Sequence, residues 1–181
     1  MEVLLTRRLT LRPPLEVDAD DIALHLSNWK VSRMLARVPF PYDRQDAADW
    51  IARRAASSAD EIVFTIHRER LIGVIGIEGD ASAPRLGYWL GEAWWGNGLM
   101  SEAVGAVLDL VFSRRPDAAV SSSVFTDNPA SLRLQQRLGF RVTGAGETFS
   151  AARQAMAGDV RTELSRADFT GTAGALFDVA A

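Results

Sequence analysis

The chain is organised around residues 86–103, which read Leu86-Gly-Tyr-Trp-Leu-Gly-Glu-Ala-Trp-Trp-Gly-Asn-Gly-Leu-Met-Ser-Glu-Ala103. The first part is apolar and aromatic, as in a buried strand. A loop with two glycines follows. A helix is expected directly after Gly98, because apolar residues then recur at helical spacing. These residues are Leu99, Met100, Ala103, Val104, Val107, Leu108 and Val111. The segment therefore predicts a strand, a short loop and a helix in direct succession.

Gly96 and Gly98 give this loop a candidate function. Glycine lets the backbone turn its N–H groups outward, and a helix N-terminus carries partial positive charge, so the loop suits a phosphate group. It is not a P-loop, since no Lys follows Gly98. Ser101 stands where a dinucleotide fingerprint has its third glycine, which disfavours a nucleotide oxidoreductase. A tight turn without a ligand is the remaining alternative.

Outward from this segment, the pattern of strands and helices predicts a single α/β domain over residues 1–181, with a core at about 4–168. Gly73 and Gly76 lie inside one strand and indicate a bulge or a close neighbour. The segment 147–156 is ambiguous, and the Gly/Ala-rich tail over 170–181 is expected to be loose. Besides the central strand, the predicted strands cover 3–12, 61–67, 71–78, 118–126 and 159–164, and a further strand starts at Phe140. Helices are predicted after the caps Asp18, Asp43 and Asn128 and directly after Gly98, with a short helix that carries Val31, Met34 and Leu35.

The composition excludes several classes of function. The chain has 181 residues, is 48% hydrophobic and 24% charged, and carries a net charge of −3, with nearly all cations Arg. This balance argues against nucleic-acid binding. The chain has no Cys and only two His, so thiolate and histidine-rich metal sites are not expected. No apolar run approaches the roughly 18 residues of a membrane span, and the N-terminus lacks a signal-peptide pattern. A cytoplasmic protein with no membrane contact is expected.

The order of elements and motifs resembles the GNAT acetyltransferase superfamily, and within it the RimJ/RimL branch of ribosomal-protein N-terminal acetyltransferases. The matching stretches cover nearly the whole chain and are Thr6–Pro13, Leu71–Gly76, Gly87–Leu90, Trp95–Ala103, Asn128–Ser131 and Leu138–Phe140. The resemblance implies an α/β (α+β) fold in which helices flank a mixed, mostly antiparallel central sheet. Its central strands splay apart and form the acetyl-CoA cleft.

The resemblance also implies how the cofactor binds. The backbone of Tyr88, Trp89 and Leu90 would pair with the pantetheine arm, and Asn128 would contact that arm, although Asn128 also suits helix capping alone. Trp95 and Met100 depart from the general family motif but leave the backbone donors untouched. The amides expected to hold the pyrophosphate belong to Gly96, Asn97, Gly98, Leu99, Met100 and Ser101.

The implied reaction is the direct attack of a primary amine on the thioester of acetyl-CoA in a ternary complex. The backbone N–H at Leu90 is the expected oxyanion donor. Many relatives have a Tyr that acts as the general acid at the position of Gln135, and a Gln side chain cannot serve as an acid. Ser131 is therefore the expected donor to the leaving thiolate. Glu78 is the first candidate for the base. Asp80, Glu92, Glu102 or a bound water remain alternatives, and no catalytic partner can be named for His25 or His67.

The acceptor is expected to lie against Phe40, Tyr42 and Trp89, in a pocket built partly from a proline-rich loop. Peptide N-termini and small amines both occur as acceptors among relatives. The missing Tyr and the unassigned base keep a second function open, a non-catalytic acyl-CoA-binding or regulatory domain. The protein is expected to be a monomer or a homodimer.

Overall fold

Residues 2–55, 61–79 and 83–171 are described by the structure, a computed structural model. Asp80 and residues 172–181 of the predicted tail lie outside this part. The described strands are β1 (Leu4–Leu5), β2 (Thr10–Arg12), β3 (Ile62–His67), β4 (Leu71–Glu78), β5 (Arg85–Leu90), β6 (Ala119–Phe125), β7 (Arg141–Ser150) and β8 (Ala155–Ser165). The described α-helices are α1 (Ala19–Leu26), α2 (Trp29–Ser32), α3 (Arg44–Ala55), α4 (Leu99–Arg114) and α5 (Pro129–Arg137).

The described strands form one sheet in the order β1-β2-β3-β4-β5-β6-β8-β7. Every neighbouring pair is antiparallel except β5 and β6, which run parallel. The expected mixed, mostly antiparallel sheet with flanking helices is confirmed. The parallel pair lies in the middle of the sheet, where the predicted loop and α4 connect its two strands.

The two sides of the sheet support two separate hydrophobic clusters. The larger contains Leu86, Leu90 and the apolar face of α4. The smaller lies under α1 and α3, includes Ile22 and Ile51, and has Trp89 packed against it. Adjacent residues of β5 therefore reach opposite clusters, because side chains alternate across a strand. This alternation places Tyr88 on the α4 side and Trp89 on the side of the N-terminal helices.

The N-terminal segment differs from the predicted strand over residues 3–12. It forms a hairpin in which Leu4 pairs with Leu11, closed by a hydrogen bond from the Thr6 N–H to the Leu9 carbonyl at 2.9 Å. Asp18 does not cap α1 with its side chain. Instead it accepts two hydrogen bonds from Arg12, at 2.6 and 2.8 Å, because the turn of the chain brings that guanidinium group beside it.

The strands after α5 also extend beyond the prediction. The ambiguous residues 147–156 form the end of β7, a turn and the start of β8. Gly139 adopts a φ of +101° after α5, as expected for a left-handed helix stop. Thr170 is held in place, because its hydroxyl donates to the Arg137 carbonyl at 2.9 Å. The part of the tail that the structure describes is thus anchored.

Candidate active site

The parallel strands β5 and β6 pair at a single position, Arg85 with Ser121. Just beyond it, the Ser122 hydroxyl donates to the Leu86 carbonyl at 3.0 Å. After this point the two described strands diverge, and a cavity of about 1170 Å³ opens between them. The predicted splay of the central strands is therefore present in the backbone.

The register with β4 decides which backbone groups of β5 face this cleft. The Gly91 N–H donates to the Ile72 carbonyl, and bonded and non-bonded pairs alternate along an antiparallel ladder. Trp89 therefore bonds to β4, whereas the N–H groups of Tyr88 and Leu90 point to the cleft. The predicted pairing of the Trp89 backbone with the cofactor would therefore compete with its pairing to β4, although Trp89 lines the cavity.

The glycine loop has the backbone geometry that an anion site requires. Gly96 and Gly98 have φ values of +75° and +72°, which side-chain-bearing residues rarely adopt. A Cβ at Gly96 would meet no atom within 4 Å, so open space lies over the main chain. The first hydrogen bond within α4 runs from the Glu102 N–H to the Gly98 carbonyl. The N–H groups of Leu99, Met100 and Ser101 precede it and stay free of intrahelical acceptors.

Asn97 shapes this loop through its own side chain. Its amide donates to the Trp95 carbonyl at 2.9 Å, and its backbone carbonyl accepts from Arg8 Nη1 at 3.0 Å. Arg8 was not singled out in the sequence, because 89 residues separate it from Asn97. Burial alone would raise the pKa of Glu102, but hydrogen bonds from Thr6 and Arg8 outweigh it and lower that pKa. Glu102 thus anchors the hairpin against α4 rather than only complementing the helix dipole.

Asn128 and Ser131 meet at the start of α5. Asn128 caps the helix, since its Oδ1 accepts from the Ser131 N–H at 3.2 Å. The Ser131 hydroxyl lies 2.8 Å from the hydroxyl of Tyr88, which reaches it from β5. Both hydroxyl groups belong to residues that line the cavity, as does Leu90. The Leu90 carbonyl is occupied by Trp95 Nε1 at 2.8 Å, while its N–H faces the cleft.

Gln135 is fully committed to a polar network beneath these groups. It is 1% exposed, its amide nitrogen donates to Ser122 Oγ at 2.9 Å and to Tyr88 Oη at 3.3 Å, and its carbonyl accepts from Thr162 at 2.7 Å. A buried amide whose hydrogen bonds are all satisfied in this way holds its neighbours rigidly in place. Gln135 stands at the position where many relatives have a Tyr that acts as the general acid. In this chain it donates a hydrogen bond to the Tyr88 hydroxyl instead.

Two of the three residues predicted to surround the acceptor line the cavity. Tyr42 and Trp89 line it. Burial, followed by the charge of Asp46, raises the pKa of Tyr42 to about 12, so its hydroxyl stays neutral. Phe40 lies outside the lining, because its ring packs edge-on against Trp29 at 5.1 Å and is 39% exposed. Phe40, which was predicted to lie against the acceptor, is thus not among the residues that line this cavity.

The acidic candidates for the base are all paired where the structure describes them. Glu78 lines the cavity, but Arg54 Nη1 lies 3.4 Å from its Oε1 and Arg37 binds its Oε2. Glu92 binds Asn28 at 2.7 Å and Lys30 at 2.5 Å. Asp80 lies outside the described residues. Among these candidates Glu78 is the one that lines the cavity, where guanidinium groups hold it; the carboxylates of Asp46, Asp49 and Asp127 line the cavity as well.

The two histidines have structural partners that the sequence did not reveal. His25 Nε2 lies 3.1 Å from the Leu71 carbonyl. His67 is partly buried rather than on the surface, and its Nε2 lies 3.0 Å from Thr65 Oγ1. Burial and the neighbouring Arg12 lower the pKa of His67, against the opposing charges of Asp18 and Asp21. Neither His lines the cavity.

No group of three or more His, Asp or Glu side chains among the residues that the structure describes is arranged to hold a metal ion. No helix among them has both the length and the apolar character needed to cross a membrane.

The acetyltransferase (GNAT) domain family matches residues 8–141, so the chain belongs to the GNAT acetyltransferases. It is thus an acyltransferase whose acetyl donor is acetyl-CoA. The glycine cradle and the cleft-facing N–H groups of β5 fit such a donor. The chain is similar to N-acetyltransferase p20 of Bacillus licheniformis, which is uncharacterized, with 29% identity over 84% of this chain and 90% of that protein. It is 33% identical to the uncharacterized N-acetyltransferase YoaA of Bacillus subtilis over 78% and 84% of the two chains.

Solved structures share the fold at lower identity. The ribosomal-protein-S5-alanine acetyltransferase of Vibrio fischeri superimposes with a TM-score of 0.78 at 16% identity, covering 93% of this chain and 98% of the other. RimL, a ribosomal L7/L12 alpha-N-protein acetyltransferase in complex with coenzyme A, superimposes with a TM-score of 0.76 at 19% identity. The match covers 92% of this chain and 100% of the RimL chain. At these identities the neighbours show a shared fold.

Proposed function

We propose that this chain acetylates a primary amine by direct attack on the thioester of acetyl-CoA within a ternary complex. The observation that carries the proposal is the single pairing position between β5 and β6. It leaves the N–H groups of Tyr88 and Leu90 facing the cleft, which the free amides of the glycine loop adjoin. Acetyl-CoA supplies the activated acetyl group, and the residues of the chain bind it, orient it and stabilise charge.

The proposed roles follow from these positions. Amides at Gly96–Ser101 bind the pyrophosphate, and Tyr88 and Asn128 hold the pantetheine arm. The Leu90 N–H donates to the oxyanion that forms when the amine attacks. Ser131 donates a hydrogen bond to the departing sulfur. Tyr42 and Trp89 form a wall of the acceptor pocket.

The acceptor we favour is an α-amine, such as a peptide N-terminus. With a pKa of about 7.7–8.0, an α-amine is partly neutral at pH 7, whereas a Lys amine near 10.4 needs a strong base. Glu78 is the proposed proton acceptor, but one of its ion pairs must open before it takes a proton. This paired carboxylate favours an acceptor that demands little of a base.

Calorimetric titration with acetyl-CoA, with NAD as the control ligand, tests the cofactor part of the proposal. Acetyl-CoA should bind and NAD should not. A panel of peptide N-termini, amino acids, polyamines and Lys side-chain amines then tests the transfer, with free CoA measured as the product. We expect release of CoA with peptide α-amines before the other classes.

A non-catalytic acyl-CoA-binding domain is the second candidate. It is favoured by Gln135, which has no acidic proton and whose amide is committed to Ser122, Tyr88 and Thr162. Binding of acetyl-CoA without turnover on any amine of the panel would support this second function.

A further inference from the structure

The Tyr88 and Ser131 hydroxyl groups connect the two sides of the cleft. Their oxygens lie 2.8 Å apart although 43 residues separate them in the sequence. Tyr88 reaches from β5 and Ser131 from the first turn of α5. The sequence predicted a role for the Tyr88 backbone only, and its side chain has none assigned.

The network beneath Tyr88 determines the direction of this hydrogen bond. The Ser122 hydroxyl donates to the Leu86 carbonyl, so Ser122 Oγ accepts from the Gln135 amide nitrogen. The Thr162 hydroxyl lies 2.7 Å from the Gln135 carbonyl oxygen and 3.4 Å from its other acceptor, the Ser122 carbonyl, and the shorter contact assigns the amide with its oxygen toward Thr162. The second N–H of Gln135 therefore points to Tyr88 Oη. Because Tyr88 Oη accepts this hydrogen bond, the phenol proton points away from Gln135. Its acceptor among the described residues is Ser131 Oγ.

This direction leaves the Ser131 proton free. The Ser131 N–H is already bound to Asn128 Oδ1, and its Oγ accepts from Tyr88. A Ser hydroxyl near the start of a helix otherwise tends to bond with its own backbone. Because Tyr88 fixes the oxygen, the remaining hydroxyl proton is directed into the cavity that Ser131 lines.

We propose that Tyr88 is a positioning residue that orients the Ser131 hydroxyl so that it donates to the sulfur of coenzyme A. The proposal rests on the proposed function. When the C–S bond breaks, its electron pair passes to sulfur, and the oriented Ser131 O–H stabilises that charge. The amine nitrogen loses one proton and the sulfur gains one, so the protons balance. Both protons are exchanged with solvent.

The environment of Tyr88 agrees with this role. Burial raises the pKa of Tyr88, while the hydrogen bonds with Ser131 and Gln135 oppose that rise. The phenol thus stays protonated at neutral pH and remains a hydrogen-bond donor throughout the reaction.

Ionisation of the thiol of bound CoA tests the proposal without any acceptor amine. The full chain is saturated with CoA, and thiolate is followed by ultraviolet difference spectroscopy over a series of pH values, with free CoA titrated in parallel as the reference. We expect the thiol pKa to be lowered by about one unit in the wild-type complex. Ser131→Ala should abolish the shift and Tyr88→Phe should remove at least half of it. Ser113→Ala, which removes a hydroxyl hydrogen bond to the Leu110 carbonyl on α4, outside the cavity lining, should leave it unchanged.

Kinetics with an α-amine peptide provide a second readout. Tyr88→Phe should lower kcat about ten- to a hundred-fold, with KM for acetyl-CoA unchanged. The double variant should be no slower than Ser131→Ala alone, because the two hydroxyl groups act as one unit. Additive losses, or a thiol pKa in Tyr88→Phe equal to the wild-type value, would overturn the proposal.

The two proposals fail in different ways. If no amine is acetylated but the thiol pKa shift depends on Tyr88, the inference stands and the catalytic function fails. If amines are acetylated and Tyr88→Phe changes neither readout, the function stands and the inference fails. Absence of CoA binding overturns both, since Ser131 then has no sulfur to contact.

Discussion

Arg8 Nε donates to Glu102 Oε2 at 2.6 Å, which joins the N-terminal hairpin to the first turn of α4. The same guanidinium group donates to the carbonyl of Asn97 in the glycine loop. The Arg8 N–H and the Thr6 hydroxyl also bind Glu102, at 2.8 and 2.6 Å. The conformation of the loop thus depends on a residue nearly ninety positions away.

Replacement of Arg8 by Met should weaken acetyl-CoA binding about five-fold. The change removes the donor to the Asn97 carbonyl and a cation beside the expected phosphate site, a loss of about 1 kcal/mol. Calorimetry measures the Kd. Arg7→Met is the matched control, because Arg7 is exposed and outside these contacts. Equal Kd values for the two variants would show that Arg8 does not support the loop.

Glu102→Gln should make the stability of the protein less dependent on acid pH. A carboxyl whose pKa is lowered on folding contributes stability above its ordinary pKa of 4.5, and loses it as the pH falls through the folded value. The wild type should therefore be more stable than Glu102→Gln at neutral pH, by about 1 kcal/mol or less because Arg8 is exposed. Below pH 4.5 the difference should shrink.

Urea unfolding at a series of pH values measures this difference. Glu147→Gln serves as the control, since Glu147 is an exposed carboxylate on β7. A difference between wild type and Glu102→Gln that persists unchanged at low pH would contradict the assignment.

Gly98→Val should abolish acetyl-CoA binding and leave the fold largely intact. The φ of +72° disfavours a branched side chain by about 1–2 kcal/mol, and the added methyl groups would lie against the anion site. Calorimetry and thermal unfolding separate the two effects. Gly144→Val is the control, because a Cβ there meets nothing within 4 Å and lies on β7, away from the loop, whereas a Cβ at Gly98 would lie 3.6 Å from Arg8 Nη2. Retained binding in Gly98→Val would refute the loop assignment.

Two variants of Asn128 separate helix capping from cofactor contact. Asn128→Ala should lose about 1 kcal/mol of stability, because it removes the acceptor of the Ser131 N–H, whereas Asn128→Ser preserves a cap. Both should weaken acetyl-CoA binding if the amide nitrogen contacts the pantetheine arm. If the stable Asn128→Ser variant bound acetyl-CoA as tightly as the wild type, Asn128 would act only as the cap of α5.

Glu78→Gln should slow transfer more for a Lys side-chain amine than for an α-amine. A general base contributes about a hundred-fold or more, and a Lys amine depends on it more strongly because it is almost fully protonated at neutral pH. Glu61→Gln is the control, since Glu61 pairs with the same Arg54 at 2.9 Å but does not line the cavity. Equal rates for the two variants would exclude Glu78 as the base.

Local sequence signals predicted the centre of the fold and the cofactor loop. The succession of β5, loop and α4 could be predicted because apolar spacing and a pair of glycines depend only on residues close in the sequence. In the structure those two glycines have positive φ values. The turn at Thr6–Leu9 was missed because it contains neither Gly nor Pro. The outward turn of Phe40 depends on Trp29, a contact between separate elements.

The side-chain chemistry of the site was less predictable, since it depends on long-range contacts. Ser131 was identified as a candidate from its place after Asn128, but the Tyr88 hydroxyl beside it follows from the splay of β5 and β6. Glu78 was chosen as an acidic residue near the cleft, and its ion pairs with Arg37 and Arg54 required the folded chain.

The two hydrophobic clusters separate the packing of two parts of the cleft. Tyr42 belongs to the smaller cluster under α1 and α3, whereas Leu90 and the start of α4 belong to the larger one. Trp89 packs against the smaller cluster from β5 and so links the two parts. We therefore expect a substitution at Ile51 to disturb the side of the cavity at Tyr42 and to leave the packing of the glycine loop unchanged.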